Sequence, residues 1–570
     1  MASPLSVIYR SFEKFFSEIN KIIKDGNIPA SKIGTEQKYV VFLSIGNESI
    51  RAITVRESGK RLDNVVQKLQ DKAINLVRKR HVHPQWIKLD IVSEVEEISF
   101  ADLERKIANT RRNYFRYGIS FDPSFILAFL EQEINGNALI RQQTDETLRL
   151  DERNINYYLR QKEATMPTFF RHHYANKNVY IFKTKSLFVE DDQLYYLYNG
   201  PLTNGIRKVS NIKDEVKSLI TKATYYLMNS VKDTGQFEYG YFSAFAKKIN
   251  TYNILRHSSS LYSMVEGYEI IKDQRVLEAV ERGLTFLINE AIVYKDDAKR
   301  IAFVVDHAND SEIKLGSNAT AILAMTKYME VTGSDRYLEI ARALARGIIE
   351  MKLPDEGFIH VLNYPTFNIK DMYRIIYYEG EAIFALLRLY AIDRDEYWLE
   401  EVKKTFEFFI DNEYWKYHDH WLSYAANELT IYEPKDKYFI FGLRNSQERL
   451  KFIYHRETTF PTFLELTMAT YKMIKKIKEL DKEYLLEHID EDFLIETIDR
   501  RAEYQRVGFF YPELAMYKKF PKLILNGFFI RHHSFRVRID DVEHYLSGYC
   551  QYLLHRIPDL EDYDLTISNL

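Results

Sequence analysis

Gly316-Ser-Asn-Ala-Thr-Ala-Ile-Leu-Ala-Met-Thr-Lys-Tyr328, then Thr332-Gly-Ser-Asp335, then Leu338-Glu-Ile-Ala-Arg-Ala-Leu-Ala-Arg-Gly-Ile348 is the stretch that decides the fold. Its first part is apolar on most of its circumference and rich in small residues, which means burial on every side. Its last part carries Glu and Arg at regular intervals, the mark of an outer helix with one wet face. Thr332-Gly-Ser-Asp335 is turn chemistry between the two. The unit is a helical hairpin with an inner and an outer member. It recurs on both sides, as Leu261-Tyr-Ser-Met-Val-Glu-Gly-Tyr268 with Leu277-Glu-Ala-Val-Glu-Arg-Gly-Leu-Thr-Phe-Leu287, and as Ile383-Phe-Ala-Leu-Leu-Arg-Leu-Tyr390 with Leu399-Glu-Glu-Val-Lys-Lys-Thr-Phe-Glu-Phe-Phe409. Tyr268, Tyr328 and Tyr390 mark a period of about 60 residues, somewhat longer than common solenoid repeats. Inner helices are expected to begin near His257, Gly316, Glu379, His420, Pro461 and Val542, with outer helices near 435–450 and 485–506. Six hairpins favour closure into an (α/α)6 toroid, whereas an open superhelix would need no particular number.

Residues 1–145 read differently. Val40-Val-Phe-Leu-Ser-Ile45 and Ile50-Arg-Ala-Ile-Thr-Val55 are β-rich runs around the turn Gly46-Asn-Glu48, Leu62 to Arg78 has a helical pattern, Trp86 to Val92 reads as a strand and Phe100 to Arg112 as a helix. The sequence predicts a mainly α protein: a small α+β domain over 1–145, a connector over 146–211 with a strand pair at Val179–Phe182 and Leu194–Leu197, and the toroid over 212–570.

Composition narrows the function. The 79 Lys+Arg against 82 Asp+Glu leave a net charge of −3, so no global field draws the chain to nucleic acid or an anionic membrane. Its single cysteine, Cys550, excludes an intrachain disulfide and a Cys-based zinc or iron–sulfur site. No window approaches the roughly 18–20 apolar residues of a membrane helix. The charged, amphipathic Tyr9-Arg-Ser-Phe-Glu-Lys-Phe-Phe16 is no secretory signal, so a cytoplasmic location is expected. There is no phosphate-binding Gly-rich loop, dinucleotide fingerprint or Gly-x-Ser-x-Gly turn, and no cofactor is expected.

The three hairpins, the turn Asp355-Glu-Gly-Phe-Ile-His360 and the helix start Tyr377-Tyr-Glu-Gly-Glu-Ala-Ile-Phe-Ala-Leu386 resemble the six-hairpin glycosidase-like proteins, the (α/α)6 group of glycoside hydrolases, polysaccharide lyases and sugar epimerases. The resemblance covers about residues 212 to 570. It implies the toroid and a carbohydrate substrate, but the group hosts many chemistries and the motifs do not choose among them. Only 21 Gly and 4 Trp depart from a secreted polysaccharide degrader, which exposes Trp platforms. Lanthionine-type cyclases also resemble this ring, but one cysteine cannot supply their zinc site.

In a closed ring the amino-terminal ends of the inner helices converge on one mouth. Arg, His and carboxylates are dense at those ends. Glu379 and Glu381, two apart at a helix start, point in different directions, so one of them needs a partner such as Glu428, Glu457, Asp540 or Asp541 from another unit to flank a glycosidic bond. A first-turn Glu favoured by the helix dipole is the structural alternative. In Arg531-His-His-Ser-Phe-Arg-Val-Arg-Ile-Asp-Asp-Val-Glu-His544, Arg536 and Arg538 share one face of a strand, and Asp540 and His544, four apart, form an acid/base couple. A surface ion-pair cluster is the competing reading. His257 is either an acid/base group or a packed core histidine. Asn318, close to Asp306 and His307, together with Arg256, Tyr378 and Arg456, completes the expected substrate contacts. His420, Trp421, Tyr424 and Glu428 lie on one side of a helix, as a cleft wall or as core. The spacing His418-Asp-His420 is wrong for one helical face, and no metal is expected.

These residues point to an enzyme acting on an acidic sugar or glycan by hydrolysis, β-elimination or epimerisation, in a setting such as cell-envelope or capsule glycan metabolism. Arg256, Arg456, Arg531, Arg536 and Arg538 motivate the acidic substrate. In hydrolysis, Glu381 or Glu379 is the acid and Asp541 or Glu428 the base; in the other reactions His257 or His544 removes the proton. The alternatives are a non-catalytic scaffold or glycan-binding protein of a polysaccharide assembly system, with a protein partner on the amino-terminal domain, and a peptide-modifying cyclase, which requires a metal.

Overall fold

A computed structural model of the chain describes residues 3–560 apart from 25–27, 163–166, 201, 297 and 299. The last ten residues of the expected toroid domain, 561–570, lie outside the described residues. Six inner helices, Ile254–Ile271, Leu315–Thr332, Tyr377–Asp393, His420–Tyr432, Thr462–Glu479 and Ile539–Gln551, each pack on the next, and the sixth packs on the first. The ring is therefore closed: an (α/α)6 toroid.

Small residues make the close approach possible. Gly316 lies against Tyr378 and Glu381 of the following inner helix, and Gly380 lies against Trp421 and Leu422 of the one after it; a Cβ at either position would overlap those groups. The all-round apolar stretch that opened the reading is buried from Leu315 through Thr326 without a break. Its outer partner Leu338–Glu350 buries Ala341, Ala343, Leu344, Ala345, Gly347 and Ile348 and leaves its charged residues towards solvent.

The outer layer departs from a strict inner-then-outer order. Gln274–Glu290, Leu338–Glu350, Glu396–Asp411, Asp436–Gln447 and Glu491–Tyr504 follow and pack on their inner partners. No outer helix follows Ile539–Gln551 among the described residues. Ile212–Ser230, which precedes the whole series, fills that place by packing on both the first and the sixth inner helices. The toroid thus completes its outer layer with its own first helix, a contact that has no signature in local periodicity.

Before the toroid stands an eight-stranded antiparallel sheet whose central strand, Trp86–Ser99, pairs with Glu36–Gly46 on one side and Asn178–Glu190 on the other. The expected connector over 146–211 is thereby corrected. Its strand is a central member of the sheet, and the expected break at 145 divides one packed unit. The strand read as ending at Phe182 because Lys183 and Lys185 interrupt its apolar run; in the sheet Lys183 is satisfied by Glu94 across the ladder, 2.8 Å away. The helix expected to reach Arg112 stops at Ala108, where Asn109 closes it.

Pro4–Lys24 and Leu62–Arg80 cover one face of the sheet. The other face packs Phe42, Phe125 and Phe182 together and takes in Met516 and Tyr517 from the toroid. Tyr517 shares a 2.8 Å hydrogen bond with Ser44, and the Ala52 amide donates to the Met516 carbonyl at 2.6 Å. No helix among the described residues is long and apolar enough to cross a membrane.

Candidate active site

The inner helix starts enclose a cavity of about 330 Å3 at the mouth of the ring. Asn253, Arg256 and Ser259 reach it from the first inner helix, Tyr377, Tyr378 and Glu381 from the third, His420 and Trp421 from the fourth, Pro461 and Thr462 at the fifth, and Asp540, Asp541 and His544 from the sixth. Arg536 and Arg538 enter from the strand just before the sixth helix, which is held in place by pairing with Gly240–Phe242. Caps set these starts. Asn253 accepts from the Arg256 amide at 3.3 Å and Asp419 from the Leu422 amide at 2.9 Å, satisfying donors that a helix start leaves open.

Two imidazoles define the cavity floor. The His420 and His544 rings lie 5.3 Å apart, centre to centre. His544 Nδ1 bonds Glu465 Oε2 at 3.0 Å, and His420 Nδ1 lies 3.3 Å from Asp419 Oδ1. Each ring therefore has Nδ1 beside a carboxyl group, and the buried Nε2 of His420 has no hydrogen-bond partner among the described residues. Burial, opposed by His420, pushes Glu465 up to about 8. Burial likewise raises Glu381 well above the usual carboxyl range, with Asp419 adding to it, and Glu381 Oε2 has no hydrogen-bond partner. Glu381 is thus a buried acid lining the cavity whose surroundings favour its protonated form.

The three guanidiniums beside these groups are all ion-paired, sharing two carboxyl groups. Arg256 lies 3.0 Å from Asp540, Arg538 donates to Asp540 at 2.6 Å, and Arg536 forks onto Asp541 at 2.8 and 2.9 Å. Burial acts to raise Asp540, but Arg256 and Arg538 outweigh it and keep the residue ionised. Asp541 is raised by burial and by the Asp540 charge beside it. The expected Asp540–His544 couple is corrected: Asp540 faces arginines, and the partner of His544 is Glu465.

Arg256, Tyr378, Glu381, His420, Trp421, Arg536, Arg538, Asp540, Asp541 and His544 are thus brought together, and the other candidates are not. His257 is wholly buried; its Nε2 bonds the Gly283 carbonyl at 3.0 Å, its Nδ1 pairs with the Tyr252 hydroxyl at 2.8 Å, and burial pushes it down to about 4. It is a core residue. Asn318 accepts from the Val304 amide at 2.8 Å and ties a strand to its helix. Glu379 accepts from His360 Nε2 at 3.2 Å, while His360 Nδ1 accepts the Arg374 and Ile375 amides, so Glu379 anchors the loop at the lip. Glu428 pairs with Arg388 at 2.8 Å, two turns down its helix, and Tyr424 stacks on Phe384 below Trp421. Arg456 binds Thr458 outside the cavity wall. Asp306 is taken by Lys314 at 2.6 Å.

Glu465 and Glu543 escaped the sequence reading. Both are about 1% exposed. Their signal was a carboxylate inside an apolar helical run, Phe463-Leu-Glu465, and a third acid one turn after Asp540. Glu543 is also raised well above the usual range by burial and accepts a 3.3 Å bond from Ser259. The possible ligand atoms of His420, Glu465 and His544 lie within 4.8 Å of one another, so these three would also be the ligands of any divalent cation held here.

No known family's sequence pattern matches the chain, and no curated protein matches it. Among solved structures it is similar to a sugar epimerase from a ruminal bacterium, at 15% identity over 53% of this chain and 88% of that one with a TM-score of 0.43. It is also similar to a D-mannose isomerase (9%, 61% and 99%, TM-score 0.46) and to cellobiose 2-epimerase from Bacillus thermoamylovorans B4167 (13%, 60% and 99%, TM-score 0.45). The likeness is one of fold.

Proposed function

We propose that the protein is a carbohydrate-active enzyme that moves a proton at a sugar carbon, as an aldose–ketose isomerase or an epimerase. The observation that carries this reading is the His420–His544 pair, His544 bonded at Nδ1 to Glu465 and His420 with Nδ1 3.3 Å from Asp419, lining one cavity with the buried acid Glu381. Removing a proton next to a carbonyl needs a base within reach of the carbon and a donor for the oxygen on which charge develops. In this reading one imidazole removes the C2 proton while Glu381 protonates the carbonyl oxygen, and the second imidazole returns a proton to C1 or to the opposite face of C2 while Glu381 takes its proton back from O2 or from O1 respectively as the carbonyl re-forms. Glu465 keeps His544 oriented and moves a proton at Nδ1 as Nε2 works. The volume lies at the small end of the ~300–1,000 Å3 found for small-molecule sites and suits a sugar ring or a disaccharide end.

A second reading is glycoside hydrolysis, favoured by Asp540, which its arginines hold low, and Glu381, which burial pushes up, lining the same cavity. One experiment separates the two. The protein is incubated in D2O with a panel of hexoses and disaccharides, and proton NMR follows deuterium at C2 and release of reducing ends. Proton transfer gives exchange that His544→Ala abolishes. Cleavage without exchange supports hydrolysis instead. No exchange, no cleavage and no binding across the panel removes both, and leaves the non-catalytic scaffold, whose function Glu381→Gln and Asp541→Asn would not disturb.

A further inference from the structure

The cavity mouth is bordered on one side by the amino-terminal domain. Beyond the helix Phe100–Ala108 its chain reaches across to the toroid: Arg112 Nη2 donates to Ser534 Oγ at 2.5 Å, and Asn113 Nδ2 donates to the Arg531 carbonyl at 2.6 Å. These two contacts bracket His532 and His533, whose rings are 4.4 Å apart and which line the cavity. Arg111 stands near enough for its charge to act on both His532 and Arg456. Burial, then the charges of His533, Arg111, Arg456 and Arg536, pushes His532 down to about 4, so the imidazole is neutral at physiological pH.

This rim differs from the floor in one respect. On the floor, Arg256, Arg536 and Arg538 are matched by Asp540 and Asp541. On the rim, Arg111, Arg112 and Arg456 make no ion pair with any carboxylate among the described residues; Arg112 is held by a serine hydroxyl and Arg456 by Thr458 Oγ1 at 2.6 Å. His532 Nδ1 is buried with no hydrogen-bond partner. Three guanidiniums just outside the cavity wall, close enough for their charges to act on the lining residues His532 and His533, and an unsatisfied ring nitrogen of His532 are what a phosphate or carboxylate would complete, because an anion there gains charge-assisted, fork-shaped hydrogen bonds.

We propose that this rim is an anion subsite, built jointly by the two domains, which takes the phosphate or carboxylate substituent of a sugar whose reacting end enters the cavity. The sugar part rests on the reading of the cavity above; the anion part does not. The expected preference for acidic substrates is thereby carried by different arginines from most of those that suggested it. It also gives the amino-terminal domain a role, since Arg111 and Arg112 come from it.

Calorimetry with glucose 6-phosphate, glucuronate and glucose, and phosphorus NMR with inorganic phosphate alone, test the subsite. Glucose 6-phosphate should bind about tenfold tighter than glucose, the worth of one charge-assisted contact. The ratio should fall to near one in Arg111→Ala/Arg456→Ala, with circular dichroism unchanged; Arg111→Ala alone serves if the double variant does not fold. Equal affinities in the unaltered protein, or a ratio that survives the substitutions, overturn the subsite. If no sugar binds, phosphate decides. Line broadening lost in the variant supports the subsite and removes only the sugar, whereas broadening that persists or never arises removes the subsite.

Discussion

Glu465→Gln is the substitution that reads the site's electrostatics most directly. Gln matches the neutral form of Glu in shape and can still bond His544 Nδ1, so the change removes the titration and little else. In the folded chain Glu465 is pushed from 4.5 up to about 8. A raised pKa means that the folded state binds more protons than the unfolded one between those values, so stability falls as pH rises through that window. At about 1.4 kcal/mol per unit the step is at most about 5 kcal/mol, an upper bound because the surroundings of Glu465 readjust when it ionises. The stability of Glu465→Gln minus that of the unaltered protein should then be level below pH 4.5, climb between pH 5 and 8, and flatten above. Denaturant unfolding of the toroid at one-unit pH intervals measures it, and titrating groups away from Glu465 cancel in the difference. A difference independent of pH would refute the claim that Glu465 is held neutral by burial. If Glu465 also serves His544, kcat should drop about 100-fold with KM little changed.

Three further outcomes follow from the same geometry. His257→Ala should cost about 2–3 kcal/mol of stability by leaving the Gly283 carbonyl and the Tyr252 hydroxyl without their partner, yet leave kcat unchanged, as denaturation and steady-state rates on one preparation would show. Gly380→Ala forces a methyl against Trp421 and Leu422 and should lower stability by about 1–3 kcal/mol, read as a fall in melting temperature; an unchanged melting temperature would mean the two helices are not so close. Exhaustive chelation should leave the rate intact if His420 and His544 work as proton carriers, whereas a loss restored by one divalent cation would assign them as ligands with Glu465.

Much of the ring was legible because burial writes itself into periodicity. The inner helices are apolar all round, the outer ones have one charged face, and all six inner starts lie within three residues of the expected positions. The amino-terminal sheet was legible strand by strand, but not as one sheet. Its central partner Asn178–Glu190 lies some 80 residues beyond Trp86–Ser99, and pairing over that distance leaves no local mark.

At the mouth, the sequence supplied the residue types and the convergence, while packing chose among them. Glu379 and Glu381 are two apart in one helical turn. Side chains at that spacing point apart, so Glu381 lines the cavity and Glu379 bonds His360. Asp540 and His544 had the right spacing for a couple, yet arginines from a strand and from a distant helix claim Asp540, and a glutamate from another inner helix claims His544.

By itself, then, the sequence determined which segments are the inner helices of the ring, that they are buried all round, and that polar residues gather where they begin, since all of this follows from the order of apolar and charged side chains along one element. Only the tertiary structure decided that the toroid completes its outer layer with its own first helix, that Glu465 stands behind His544, and which guanidiniums still lack a counter-charge. Those outcomes depend on distances between residues far apart in the chain, and on how much water each charge loses when the elements meet.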